Sequence, residues 1–189
     1  MKKIIIFLIF YLVPYISGGQ EIRVYFSPNG ACQQAVISEI RKGAQTIDIA
    51  MYYLSSRGIA QALVQASKNH VRVRIVLDQG QEIETSSKSG YLIKHGIDLR
   101  YHMGFGLMHN KFAIIDGKSL ITGSFNWTLT AEERNEENLL IITDIQTIKK
   151  YEERFEYLWN TSRPDSRNAR GLNAFPAWFC STYHLFCMN

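Results

Sequence analysis

Long apolar runs, cysteines and clustered charge are all scarce in this chain, and each scarcity excludes something. The longest apolar run, Ile4 to Ile16, is 13 residues and contains Pro14, against the ~20 residues that a membrane-spanning helix needs. Lys2 and Lys3 precede it and Ser17-Gly18-Gly19 follow, so the three parts of a secretory signal stand in order. Residues 1–19 are therefore read as a signal peptide, with an uncleaved N-terminal anchor as the alternative. Either way the rest of the chain is expected to be exported, periplasmic or secreted, with membrane association open. Three cysteines do not make a disulfide framework: Cys32 stands alone, while Cys180 and Cys187 are close enough for one bridge. Cys180, His184 and Cys187 offer three ligands without a fourth, so no metal centre is expected and no cofactor is implied.

The charge balance is nearly neutral. Lys and Arg total 21 against 17 Asp and Glu, a net charge of +4 that falls to +2 if Lys2 and Lys3 leave with a cleaved signal. No basic run is longer than a pair. Such a balance permits a polyanionic substrate without demanding one, because phosphate binding depends on a local patch and not on the sum. Candidates for that patch are Arg72, Arg74, Lys88, Lys94, Arg100 and Lys118. With 189 residues, of which 46% are hydrophobic, the chain has material for one cored domain, assigned to residues 20–162.

What the chain does contain is an alternation of strand and helix patterns. Ile22–Phe26 alternates and runs into the turn Ser27-Pro28-Asn29-Gly30; Cys32–Lys42 has helical apolar spacing closed by Gly43. Thr46–Leu54 reads as a buried strand, Gly58–Asn69 as an amphipathic helix and Val71–Leu77 as another strand. Tyr91–His95 looks like a short helix, Leu99–Tyr101 and Asn138–Thr143 like strands, and Ile145–Trp159 like a helix that caps the sheet. The β-α-β-α-β order predicts an α/β fold with a mixed, mainly parallel sheet sandwiched between helices. Ser162–Arg170 reads as a linker, and residues 163–189 as a C-terminal tail rich in aromatics that packs on the domain, rests on a membrane surface or stays disordered.

The most informative stretch is His109-Asn110-Lys111-Phe112-Ala113-Ile114-Ile115-Asp116, followed after six residues by Gly123-Ser124-Phe125-Asn126. If Lys111–Asp116 is a strand, alternation puts His109 and Lys111 on one face and Asp116 on the other. A histidine that attacks phosphorus or moves a proton, beside a lysine that holds a non-bridging oxygen, makes a phosphoryl-transfer site. Asp116 would brace the motif from behind. Gly123 allows a tight bend, Ser124 supplies a hydroxyl, and Asn126 an uncharged amide donor. Six residue types at fixed offsets arise by chance in a chain of this length only about a few times in a million. Gly104-Phe105-Gly106 lead into His109. Phe105 and Trp127 flank the motif as candidate platforms for stacking bases, with core packing the competing reading for Trp127.

The pattern H-x-K-x4-D-x6-G-S-x-N resembles the HKD motif of the phospholipase D superfamily, over roughly residues 21 to 162. The resemblance implies a metal-independent phosphodiesterase in which one motif histidine forms a phosphohistidine and a second protonates the leaving oxygen. It also implies a carboxylate downstream that holds the catalytic imidazole; Glu137 fits that place, with Glu136 one residue away. No other histidine of the chain is followed two residues later by lysine, so a complete site requires two chains. The superfamily's small bacterial endonucleases carry one motif each, and this chain is expected to form the same kind of isologous homodimer. The leading expectation is an endonuclease acting on DNA, with RNA as a further substrate, without base reading; the alternative is a phospholipase D acting on membrane phospholipid. An apolar rim around His109 would favour lipid and a basic groove nucleic acid. A non-catalytic binding module is the third class.

Overall fold

A strand covered on both faces must be apolar on both, and the centre of this fold meets that requirement. The computed structural model describes residues 21–165; the proposed signal and the aromatic tail, with Cys180, His184 and Cys187, lie outside them. In chain order the elements are β1 (Ile22–Ser27), α1 (Cys32–Lys42), β2 (Thr46–Met51), α2 (Arg57–Lys68), β3 (Arg72–Asp78), α3 (Ser89–Lys94), β4 (Asp98–His102), β5 (Lys111–Ile115), β6 (Ser119–Gly123), α4 (Leu129–Glu133), β7 (Glu137–Ile142), α5 (Ile145–Thr161) and β8 (Arg163–Pro164). A 3-10 turn, Gln79–Glu82, follows β3. Ile47, Ile49 and Met51 of β2 face α1 and α2, whereas Ala50, Val76, Phe112, Ile114 and Leu120 face α5. Among the described residues no helix is long and apolar enough to cross a membrane.

The eight strands form one sheet in the order β1-β7-β6-β5-β2-β3-β4-β8. It is mixed and flanked by helices, as expected, but not mainly parallel. Only β2–β3 and β3–β4 pair in parallel; the other neighbours are antiparallel. Helical crossovers give the parallel strands, while the short connection Asp116-Gly117-Lys118 joins β5 to β6 and forces the antiparallel return. Asp116 and Gly117 have φ of 54° and 62°, the left-handed conformation that a tight turn requires. The strand expected through Asp116 accordingly stops at Ile115. The expected tail boundary also moves: Arg163–Pro164 pair with β4, and the Asp165 amide donates to Leu99 O. Three helices are started by side chains: Ser56 caps α2, Thr128 caps α4, and Asp144 caps α5. Cys32 is buried at the start of α1, and burial, seconded by Glu132, pushes its thiol up to about 11, so it stays protonated.

Two residues expected in a phosphate-binding patch are structural instead. Arg74 donates to both oxygens of Asp48 at 2.7 and 2.8 Å and to Glu156 at 2.6 Å, beneath the rings of Phe155 and Trp159. Its bond to Asp48 is the chief reason its pKa rises. Arg100 lies 4.1 Å from the Trp159 ring centroid and donates to Trp159 O. Both guanidinium groups therefore fasten α5 to the sheet. Replacing Arg74 with Ala leaves Asp48 unpaired under α5 and is expected to destabilise the fold by about 3 kcal/mol, read as a lower denaturation midpoint in urea; a midpoint equal to wild type would refute the structural role.

Candidate active site

Strand direction decides where the functional groups collect. β1, β2, β3, β4 and β6 run one way and β5 and β7 the other, so the ends of the first set and the beginnings of the second lie along one edge. There Met51 pairs with Lys111, Asp78 with His102, Gly123 with Leu139, and Ser27 with Glu137. The motif residues converge on this edge, the carboxyl edge of the parallel strands, where open α/β sheets bind their ligands.

His109 is exposed just ahead of β5, and Lys111 opens that strand with 8% of its surface accessible. The Lys111 Nζ lies 3.2 Å from His109 Nδ1 and donates to His109 O at 2.9 Å, so the two groups do share one side. Tyr52, just past β2, packs against both: its ring centroid is 4.5 Å from that of the imidazole and 5.0 Å from Nζ. Burial draws the Lys111 ammonium below the ordinary lysine range, with the Glu137 charge opposing.

The backbone around His109 is held from both sides. Asp78, buried at the end of β3, accepts from Met108 N at 2.8 Å and from Gly80 N at 3.0 Å. On the other side Tyr52 N donates to Asn110 O at 2.9 Å, and the Met108 side chain is buried. The imidazole thus stands on a fixed support while remaining open. Sequence reasoning missed Asp78 and Tyr52. For Asp78 a signal existed: an acid closing the apolar run Ile75–Leu77.

Asp116 stands at the far end of β5, just past Ile115. Its carboxylate accepts from Ala44 N, Gln45 N and Thr46 N at 2.8 to 2.9 Å. Burial works to raise its pKa, but the three amides outweigh it and hold the group below the usual range. Gly123 is required for close approach more than for a bend. Its φ is 144°, and a Cβ there would stand 2.3 Å from Asn138 O.

Ser124 and Glu137 meet, but Glu137 does not hold His109 as expected. Ser124 Oγ donates to Glu137 Oε2 at 2.6 Å and accepts from Asn138 N at 3.0 Å, while Asn135 donates to Glu137 Oε1. Within one chain the carboxylate is thereby committed to Ser124 and Asn135, and the ring nitrogen of His109 faces a cation. Glu136, the alternative, is exposed in the loop just before β7. Asn126 lies between two core residues, and its Oδ1 is buried without a hydrogen-bond partner among the described residues. Trp127 is 1% exposed, and its carbonyl accepts from Ser55 N and Ser56 N; it belongs to the core and is no platform for bases. Phe105 is fully exposed on the loop before His109, with Met103, Leu107 and, beyond β3, Ile83 as further exposed apolar side chains.

Comparison with known proteins gives the family. Residues 36–159 match the family described as cardiolipin synthase, PLD-like domain. A mitochondrial cardiolipin hydrolase of Xenopus laevis is 37% identical over 127 residues, covering 67% of this chain and 60% of that protein. A phospholipase D of Rickettsia typhi (strain ATCC VR-144 / Wilmington) is 34% identical over 141 residues, 75% of this chain and 69% of that one. The chain thus spans about three fifths of the cardiolipin hydrolase it resembles. Among solved structures, Nuc, a phospholipase D family member from Salmonella typhimurium, superposes with a TM-score of 0.74 at 31% identity over 78% of this chain and 99% of that one. NucT from Helicobacter pylori superposes with a TM-score of 0.71 at 26% identity over 78% and 100%. With His109, Lys111 and Ser124 gathered on one edge and the family matched over most of the described fold, the chain belongs to the phospholipase D superfamily.

Proposed function

We propose that two copies of this chain build one metal-independent centre that cleaves nucleic acid, DNA and also RNA, through a phosphohistidine on His109. The observation that carries the two-copy reading is the surroundings of the imidazole. With Lys111 protonated, its ammonium donates to Nδ1, which places the ring's own proton on Nε2. Attack by Nε2 needs the other tautomer, so a lone chain holds His109 in a resting form and lacks the acid for the leaving group. In the assembled centre one His109 bonds to phosphorus as the P–O ester bond breaks, and His109 of the partner subunit gives its proton to the departing oxygen. Water, losing a proton to that same second imidazole, then attacks phosphorus and releases the first. Lys111 and Asn126 from both copies stabilise charge on the equatorial oxygens; the unpaired Asn126 is available for that task.

Support for a polymeric substrate comes from the open edge, where His109 and Ser124 are both exposed, so a strand can cross without threading. The likeness to the small Nuc and NucT chains over their whole lengths is in keeping with it. The second reading is hydrolysis of a phospholipid head group. It is favoured by the exposed Ile83, Met103, Phe105 and Leu107 and by the internal use of Arg74 and Arg100, with the relatives named cardiolipin hydrolase and phospholipase D in line. The apolar run at residues 4–16 supports export in either case.

Cleavage of single-stranded DNA, duplex DNA, RNA and phospholipid vesicles by the purified protein in excess EDTA separates the readings. Nucleic-acid cleavage that disappears in His109→Ala is expected; cleavage of vesicles alone would transfer the enzyme to lipid, and full activity in His109→Ala would end the mechanism. The alkaline limb of kcat/KM should fall below pH 10.5, the ordinary lysine value. Protonated Lys111 holds the phosphoryl oxygen, and burial makes it lose its proton early as pH rises. Residual activity of Lys111→Arg should lack that limb, and a limb that persisted there would belong to another group. Asp78→Asn replaces one acceptor oxygen by a donor, leaving Met108 N or Gly80 N unpaired. Its kcat should drop about tenfold or more with little change in KM, whereas a change in thermal midpoint alone would make Asp78 merely structural.

A further inference from the structure

We infer that the edge of the sheet opposite His109 is a docking surface for a bilayer with anionic head groups, an assignment that holds whichever phosphodiester is cleaved. On that edge β1, β2, β3 and β6 begin and β5 and β7 end, as the pairs Ile22 with Ile142, Thr46 with Arg72 and Ile115 with Ser119 show. α1, α2 and α3 end there too, at Lys42, Lys68 and Lys94. Arg41, Lys42, Lys68, Arg72, Lys94 and Lys118 are all exposed on it. Of these only Lys42 forms a salt bridge among the described residues, with Glu39. The acids of this edge are largely taken up by the fold. Glu39 is buried, Asp116 takes three backbone amides, Asp144 caps α5 and Glu21 pairs with Arg23, which leaves Asp98 and the partly exposed Glu152.

A cation at the C-terminal end of a helix complements the helix dipole, and that accounts for Arg41, Lys42, Lys68 and Lys94 without any partner. It does not account for Arg72, which opens β3, or for Lys118, in the connection between β5 and β6. The surface charge also has a direction. Glu84, Glu133 and Glu136 are exposed at the reactive end, against Arg57 and Arg134, so an anionic surface meets the molecule at the opposite end. Where the chain comes from selects the occupant. Residues 17–20 separate the apolar run at 4–16 from Glu21, next to the first pair of β1. As a signal or as an anchor, that run brings this edge to a bilayer and not the reactive one. Each Lys or Arg within a Debye length of an anionic leaflet is then attracted to it. A nucleic-acid backbone attracts cations as well, but a strand held here would lie the length of β2, roughly 20 Å, from the reacting groups. With the basic edge on lipid, His109 and Ser124 face water.

The test is flotation of the full chain with vesicles of phosphatidylcholine alone or mixed with phosphatidylglycerol, in low and in high salt. Wild type should bind the mixed vesicles more tightly, and salt should remove the difference. The triple variant Lys68→Gln, Arg72→Gln, Lys118→Gln, with circular dichroism equal to wild type, should lose roughly a hundredfold in affinity for mixed vesicles and none for phosphatidylcholine. Arg57→Gln combined with Arg134→Gln, at the other end, should bind as wild type does. Hydrogen exchange maps the face on the unaltered chain: on mixed vesicles it should slow in residues 41–46, 68–72 and 116–119 and stay unchanged in 103–109. Binding that ignores lipid charge, salt and the triple variant would leave the apolar run as the membrane contact and overturn this face, as would protection at 103–109. Weaker retention of the triple variant on an oligonucleotide, with vesicle binding intact, would make the edge a nucleic-acid surface and overturn it too. None of these readouts is turnover, so failure here leaves the proposed centre standing.

Discussion

The reactive edge depends on the register of β5 against β2. Side chains alternate along a strand, so a slip of one residue would turn Lys111 toward α5 and push Phe112 into the space below Tyr52. The pairing is clamped at both ends. At one end Asp116 takes three amides of the chain entering β2, and its own N–H donates to Thr46 O; at the other, Tyr52 N reaches Asn110 O. With that register fixed, Lys111 has a single place to go. A nearly buried ammonium is costly unless it is bonded, and here it finds the His109 carbonyl and ring, the Tyr52 face and the field of Glu137.

The carboxylates around the centre divide into two kinds. Asp78 and Asp116 spend their charge on backbone amides, Asp78 immediately before His109 and Asp116 at the distant hairpin. They shape the support and leave the phosphate position free of their repulsion. Glu137 is different, because it lies close enough to raise the Lys111 pKa against the effect of burial and is half-exposed beside Ser124. Its partners Ser124 and Asn135 bind it at the surface, where the proposed assembly of two copies would reach it.

How much of this was legible in the sequence follows from how local each feature is. His109, Lys111 and Asp116 are related by strand periodicity, and Gly123, Ser124 and Asn126 by one tight hairpin, so spacing alone brings them together. The central strands and the helices α1, α2 and α5 announce themselves by apolar periodicity. Tyr52 and Asp78 do not, because their closeness to His109 comes from the sheet order, which places β5 beside β2 and not beside β4. The sheet is mixed, as expected, yet antiparallel pairing predominates for the same reason: β6, the short Ser119–Gly123 segment that returns the chain, carries no strong pattern. Arg74 and Arg100 looked like surface charge, and only the aromatic underside of α5 shows why they are inside.

Removing those two arginines from the surface changes the electrostatic argument. Lys111 then stands beside His109 as a positive group at this edge, and the chain as a whole is only mildly basic. Attraction for phosphate is then short-ranged and concentrated where the bond is broken, with no broad field drawing in a polyanion from a distance. In the proposed two-copy centre a two-fold axis would double that charge at a single phosphorus. Apolar surface accounts for the rest: one strip of it runs along β1 into the site, and the side chains of the loop before His109 stand free at the rim. Charge thus selects the phosphodiester, while the shape and apolar character of the walls decide what is attached to it.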